Sequence, residues 1–240
     1  MSGMTYLHQP EGTPAVASVF EAIRDAILHG EYPPGSPLPE VPLAHSLEAS
    51  RNTVREALRL LANLGLVDIV PYRGAFVATL DSHKALEIFS FRALIEGYAA
   101  RLAVEAGNIR GEALAGIKEA YEALKANATD PDPLRIVDAD MEFHTRISAA
   151  SRHKIVSEHL ESLQAQTRQF ILATKLYESD PESEAESHLP VLLAVTSGDP
   201  DRAEETVRQH ITRAGQLLLA RMAEIDPGRG RGREGPGGTA

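Results

Sequence analysis

Apolar residues recur at three- and four-residue steps along most of the chain, and only two short stretches break that rhythm. Such spacing lines one stripe of an α-helix, whereas a strand requires alternation or a short continuous apolar run. The two exceptions, residues 66–70 and 75–78, flank Pro71-Tyr72-Arg73-Gly74 and read as a single hairpin. A chain with one hairpin and otherwise helical periodicity is mainly α, and it excludes sandwiches, barrels and large open sheets. Composition agrees, because alanine and leucine abound while aromatic residues make up only 5%.

Other features narrow the classes further. No apolar run approaches the ~20 residues that span a bilayer, and residues 1–14 lack the basic flank and apolar stretch of a secretion signal. A cytoplasmic address with no membrane partner is expected. With no cysteine there is no disulfide framework, cysteine-based zinc site or thiol nucleophile. The net charge of -10 argues against non-specific coating of nucleic acid, yet a short basic helix can still bind DNA locally.

Four segments follow. Residues 1–14, rich in glycine and proline, read as a disordered lead, and 226–240, with six glycines and three arginines, as a flexible tail. Residues 15–80 form a small mixed unit and 83–225 a larger helical one. In the first, a helix carries Val16, Val19, Phe20, Ile23 and Ile27 inward until Gly30 stops it. A short helix near 40–47 precedes a second over 50–64, with Ser50 as N-cap and Val54, Leu58 and Leu61 inward. The hairpin follows.

Helix, helix, turn, helix and hairpin outline a winged helix-turn-helix, with helix 50–64 in the major groove. Arg51, Asn52, Thr53 and Arg55 are residue types that meet phosphates and base edges. The same arginines also suit an ordinary solvated face supported by Glu56. Charge does not decide: residues 1–80 hold five arginines against eight acids.

The stretch from His29-Gly30-Glu31-Tyr32-Pro33-Pro34-Gly35 through Ser50-Arg51-Asn52-Thr53-Val54-Arg55-Glu56-Ala57-Leu58 to Leu64-Gly65-Leu66-Val67 and Arg73-Gly74-Ala75-Phe76-Val77 resembles the GntR family of bacterial transcription regulators. The resemblance implies DNA contacts from Ser50, Arg51, Thr53 and Arg55, with the wing tip at Arg73 and Gly74. One departure is Val41-Pro42, where some members carry an arginine that meets phosphate.

The larger unit reads as six helices, about 84–106, 109–127, 132–151, 153–177, 181–197 and 200–223, joined by short turns into an antiparallel all-α bundle. Ile88, Phe91, Ile95, Ala99 and Leu102 mark the inward stripe of the first. Charged and imidazole side chains on apolar stripes are the anomaly. Asp140 and His144 stand four apart among Val137, Met141, Ile147 and Ser148. His188 shares a face with Val191, Leu192 and Val195, and His210 with Ala203, Val207 and Ala214.

Burying four such groups without partners is costly. One divalent transition ion would satisfy all four. A single histidine on an apolar face is more often hydrogen-bonded core. Here two histidines 22 residues apart straddle the Gly198-Asp199-Pro200 turn, which brings them to one level on antiparallel helices.

This constellation resembles the sensor domain of the FadR-type subgroup of that family. The likeness implies a metal at Asp140, His144, His188 and His210 (zinc first, manganese or nickel otherwise), a small organic or sugar acid completing its coordination, and a homodimer on an inverted-repeat operator of double-stranded DNA. Arg92 and Glu96 resemble an effector-binding Arg-x-x-x-Glu spacing, and they equally fit a surface i,i+4 pair. His153 stands where many relatives have asparagine, as an extra effector wall or an exposed junction residue. Pro190 requires the helix to start near His188 or kink there. The expected function is that of a metabolite-responsive repressor and not an enzyme. The rivals are a metal-dependent enzyme with an accessory DNA-binding domain, and an adaptor with a buried polar network.

Overall fold

The computed structural model describes residues 14–177 and 180–225; the expected lead and tail lie outside these, apart from Pro14. Pro14, expected in the lead, is the first residue of α1 (Pro14–Leu28). Proline fits there because its ring fixes φ and a first-turn N–H has no intrahelical partner to lose. α2 (Glu40–Ser46), α3 (Arg51–Asn63), β1 (Val67–Val70) and β2 (Gly74–Val77) follow.

This first unit is a winged helix-turn-helix. α1 packs on α3, and Val19, Phe20 and Ile23 meet Val54, Leu58 and Leu61 in one core. Fully burying a side chain of this size stabilises by ~1.5–3 kcal/mol. β1 and β2 pair antiparallel, with Val67 opposite Val77 and Val70 opposite Gly74. The preceding loop adds a rung: Leu38 N–H donates to the Ala75 carbonyl at 2.8 Å, and Val77 N–H to that of Ser36 at 2.9 Å. Gly65, at φ +70, takes the left-handed turn that ends α3.

The second unit holds α4 (Ser82–Glu105), α5 (Gly111–Asn127), α6 (Pro133–Ala150), α8 (Pro181–Glu186), α9 (Leu189–Val195) and α10 (Pro200–Ile225). Asp81 caps α4 and Asp132 caps α6, each accepting a backbone N–H two residues on. α4 lies along α10, and α6 packs between α5 and α4. Close approach of α4 and α10 relies on glycine, since a Cβ on Gly215 would stand 2.8 Å from Phe89 Cβ.

Three expectations change here. α7 (Lys154–Thr174) forms close to where predicted, but residues 158–173 cluster with the first unit instead of completing a six-helix bundle. Ala165 packs against the winged core, and Gln169 Nε2 donates to the Ala78 carbonyl at 3.4 Å. The helix expected over 181–197 is two helices that meet at Ser187 and His188, and the second starts beside His188, one of the two outcomes that Pro190 requires. The inward stripe of α4 is also displaced. Phe91 is exposed, while Arg92 and Glu96 are buried beside Ala93, Ala99 and Ala100.

Candidate functional site

The recognition surface begins at the Ser50 cap of α3. Ser50 Oγ accepts the Thr53 N–H at 3.1 Å, and the two hydroxyls lie 2.8 Å apart. Arg51 lies on the exposed first turn with Nη2 3.7 Å from Glu40 Oε2, while Arg55 is held more closely: Nε and Nη2 reach the two Glu40 oxygens at 2.8 and 2.6 Å. The Arg55 hydrogen bond holds the Glu40 carboxyl below the usual range despite slight burial. Such a fork is bidentate and geometrically specific.

At the wing, Tyr72 and Gly74 adopt positive φ of 62° and 101°, and Arg73 lies over the Phe76 ring at 5.5 Å. Pro71 to Gly74 are all exposed. The DNA-binding candidates thus occupy the accessible start of α3 and the hairpin tip.

The second unit gathers the imidazoles. One ligand nitrogen from each of His144, His188 and His210 lies within 4.8 Å of the other two. His188 Nε2 is 3.1 Å from His210 Nε2 and 2.7 Å from Asp140 Oδ1, and His144 Nε2 stands 3.9 Å from the same oxygen. The three expected histidines therefore converge, and Asp140 reaches two of them, His188 and His144. Asp140 and His144 share one face of α6, His188 sits at the start of α9, and His210 lies on α10. Phe143, fully buried, meets the His144 and His188 rings edge-on at 5.6 and 5.5 Å and walls off one side.

Electrostatics favour an ionised Asp140 beside a His210 ring that resists protonation. Burial alone would raise the Asp140 pKa, but the His188 hydrogen bond and the His188, His144 and Arg92 charges together hold it far below the usual range. Burial, reinforced by the neighbouring His188 and His144, pushes the His210 pKa well below 6.5. A metal ligand must be an unprotonated imidazole or an ionised carboxylate.

Arg92 and Glu96 are not a surface pair. Both are buried, with Arg92 Nε donating to Glu96 Oε1 at 2.7 Å, and Glu96 Oε2 lies 2.9 Å from His144 Nδ1. Burial opposes the charged Glu96, yet the Arg92 and His144 charges lower its pKa. His153 is not brought to the cluster. Its Nδ1 accepts the Val156 N–H at 3.3 Å at the start of α7, and its ring is edge-on to Tyr98 at 6.0 Å.

Tyr177 was not foreseen. It is buried after α7; burial lifts its phenol well above the usual range, and the Asp140 carboxylate adds to the shift. No periodic signal marks it, because it lies beyond a helix end.

Fold and site together define a transcription regulator that joins a winged helix-turn-helix to a helical domain with a histidine cluster. Residues 15–77 match the description "Bacterial regulatory proteins, gntR family", and 87–213 match the FCD domain. The chain belongs to the GntR family of bacterial transcription regulators, with an FCD domain after its winged helix.

Among its relatives is the "Probable D-xylose utilization operon transcriptional repressor" of Paenarthrobacter nicotinovorans, 30% identical over 83% of this chain and 86% of that protein. The "Galactonate operon transcriptional repressor" of Escherichia coli is 27% identical over 75% and 86%. A crystal structure of a GntR transcriptional regulator from Rhodococcus sp. RHA1 shares the fold. It is 23% identical with a TM-score of 0.74, covering 87% of this chain and 99% of that one. Among the described residues, no helix is long and apolar enough to cross a membrane.

Proposed function

We propose that this protein is a ligand-responsive transcriptional repressor whose helical unit binds one divalent metal and, through it, a small carboxylate. The convergence of three imidazoles and one ionised carboxylate in a buried cluster carries this reading. Donor atoms of a single zinc ion with bonds of ~2.0–2.2 Å stand ~3–4 Å apart. Nitrogens already within 4.8 Å of one another are close to that spacing. The donor set is three nitrogens and one oxygen, which suits zinc first and leaves manganese or nickel as alternatives. When bound, the metal supplies a Lewis-acidic anchor for a carboxylate.

The chain's own residues do the remaining work. Asp140 holds its negative charge beside His188, and the Phe143 ring excludes water from one side. Arg92 brings a buried positive charge toward an acidic effector. Ser148, one turn beyond His144 and 1% exposed, has a hydroxyl without a hydrogen-bond partner among the described residues. A buried orphan hydroxyl calls for an explanation, and a ligand hydroxyl would satisfy it. The relatives named for D-xylose and galactonate operons favour a sugar or sugar acid.

On the DNA side, Ser50, Arg51, Thr53 and Arg55 face one half of an inverted repeat, with Arg73 and Gly74 at the wing tip, and a homodimer supplies the second half. Effector binding alters DNA affinity only to the extent that the ligand distinguishes two arrangements in free energy.

A thermal-shift screen of zinc-loaded and metal-free protein against aldonic and small organic acids tests the reading. A ligand at 100 times its Kd stabilises by ~2.7 kcal/mol. At least one acid should raise the Tm of the zinc-loaded protein alone. Identical shifts with and without metal would contradict it.

A further inference from the structure

We infer that Glu96 is a positioning residue for the metal centre, holding His144 in the one tautomer and orientation that presents Nε2 to the ion, with Arg92 holding Glu96 in turn. This rests on the metal reading above, and it gives Glu96 a role other than touching the effector.

The geometry is a relay of three buried side chains. Arg92 Nε donates to Glu96 Oε1 at 2.7 Å, and Glu96 Oε2 stands 2.9 Å from His144 Nδ1, an ion-pair contact and not an aligned hydrogen bond. His144 Nε2 faces the cluster, 3.9 Å from Asp140 Oδ1. An imidazole offers one nitrogen to a metal and keeps its proton on the other. A carboxylate charge 2.9 Å from Nδ1 favours the proton on that nitrogen, which leaves Nε2 to ligate. A carboxylate in this position also makes the ring a better donor.

His188 is arranged in parallel by a different group. Its Nδ1 lies 2.9 Å from the Glu184 carbonyl oxygen, and its Nε2 faces Asp140 and His210. Both rings are therefore turned Nε2-inward. His144 is the one backed by a full charge.

Glu96 is held from two sides. Its four-residue spacing from Arg92 places both on one face of α4, and each is at most 4% exposed. A Glu96 serving only to neutralise Arg92 would have no need of the second oxygen's approach to His144. The Glu96→Gln change keeps the size and an acceptor oxygen but removes the charge, which separates the two roles.

The experiment is zinc affinity of the full chain by chelator competition, in a double-mutant cycle of Glu96→Gln and His144→Ala. Removing outer groups of this kind typically weakens metal binding 10–100-fold. Glu96→Gln is expected to do so when His144 is present and to change affinity less than about threefold in the His144→Ala background. An equal loss in both backgrounds, or none in either, overturns the inference. If His144→Ala binds zinc too weakly to measure, 15N spectra of the zinc-loaded wild type decide. A protonated Nδ1 and metal-bound Nε2 on His144 support the inference; the reverse sinks it. Wild-type protein that takes up no zinc would instead overturn the metal reading itself.

Discussion

Asp140 Oδ1 and His188 Nε2 meet at 2.7 Å, joining α6 to the start of α9 inside the helical unit. The contact depends on the helix break between α8 and α9, which sets His188 at a helix start instead of mid-helix. It ties the two halves of the candidate ligand set together. Its consequence is a dependence of metal binding on acidity.

Zinc uptake is expected to be complete above neutrality and to fall as pH drops through ~6.5, where free imidazoles take up protons. The metal-free protein should lose stability over the same range. His210 has a depressed folded pKa, so the unfolded chain binds the proton first and acidification favours unfolding. Urea midpoints of metal-free protein between pH 7.5 and 5.5 check this. A His210→Gln variant should show a flatter profile, and an unchanged slope would remove His210 as the cause.

The Arg92–Glu96 pair gives a stability test. Breaking a buried ion pair from one side costs ~3–5 kcal/mol, because the other charge stays buried without its partner. Arg92→Ala should therefore be strongly destabilised, and Arg92→Met with Glu96→Met together should recover most of the loss. Chemical denaturation of the three variants reads this directly. A mild effect of Arg92→Ala alone would mean that Glu96 finds another partner.

These two residues also show where sequence and structure part. The large apolar residues Phe91 and Ile95 suggest one stripe for α4, but its inward face is built largely from alanines. Small residues let α10 approach closely, and Ala93, Ala99 and Ala100 carry too little side chain to dominate a periodicity reading. The winged unit was legible because its turns are fixed by backbone chemistry, with Gly65 and Gly74 at positive φ and Ser50 as a cap. The convergence of His188 and His210 was legible too, since a tight turn between antiparallel helices brings them level. The course of α7 was not. Its buried face mixes Thr167 and Gln169 with Phe170 and Ile171, so the pattern fits either of two surfaces.

DNA affinity should depend on Arg51 and Arg55. Each phosphate contact removed from duplex DNA shallows the slope of log affinity against log salt by ~0.9. Arg51→Ala and Arg55→Ala should each weaken binding to a duplex selected by the wild type. Arg55 is shared with Glu40 at 2.6 Å, so Glu40→Gln frees the guanidinium and should tighten binding. Fluorescence anisotropy across a salt series separates these outcomes. Wild-type affinity in both arginine variants would move the interface elsewhere.

The α4–α10 seam should resist enlargement. Gly215→Ala places a methyl 2.8 Å from Phe89 Cβ, inside any ordinary contact. Overpacking of this kind costs ~1–3 kcal/mol. A lowered denaturation midpoint that Phe89→Leu partly restores would confirm the steric origin.

The central claim is that Asp140, His144, His188 and His210 form one metal site. Its most direct test is elemental analysis of purified full-length protein beside a variant carrying His144→Ala, His188→Ala and His210→Ala, both dialysed against the same zinc buffer. The account predicts about one divalent ion per wild-type chain and almost none in the variant, with operator binding retained because the winged unit holds none of the four residues. Equal metal content in the two proteins would contradict it.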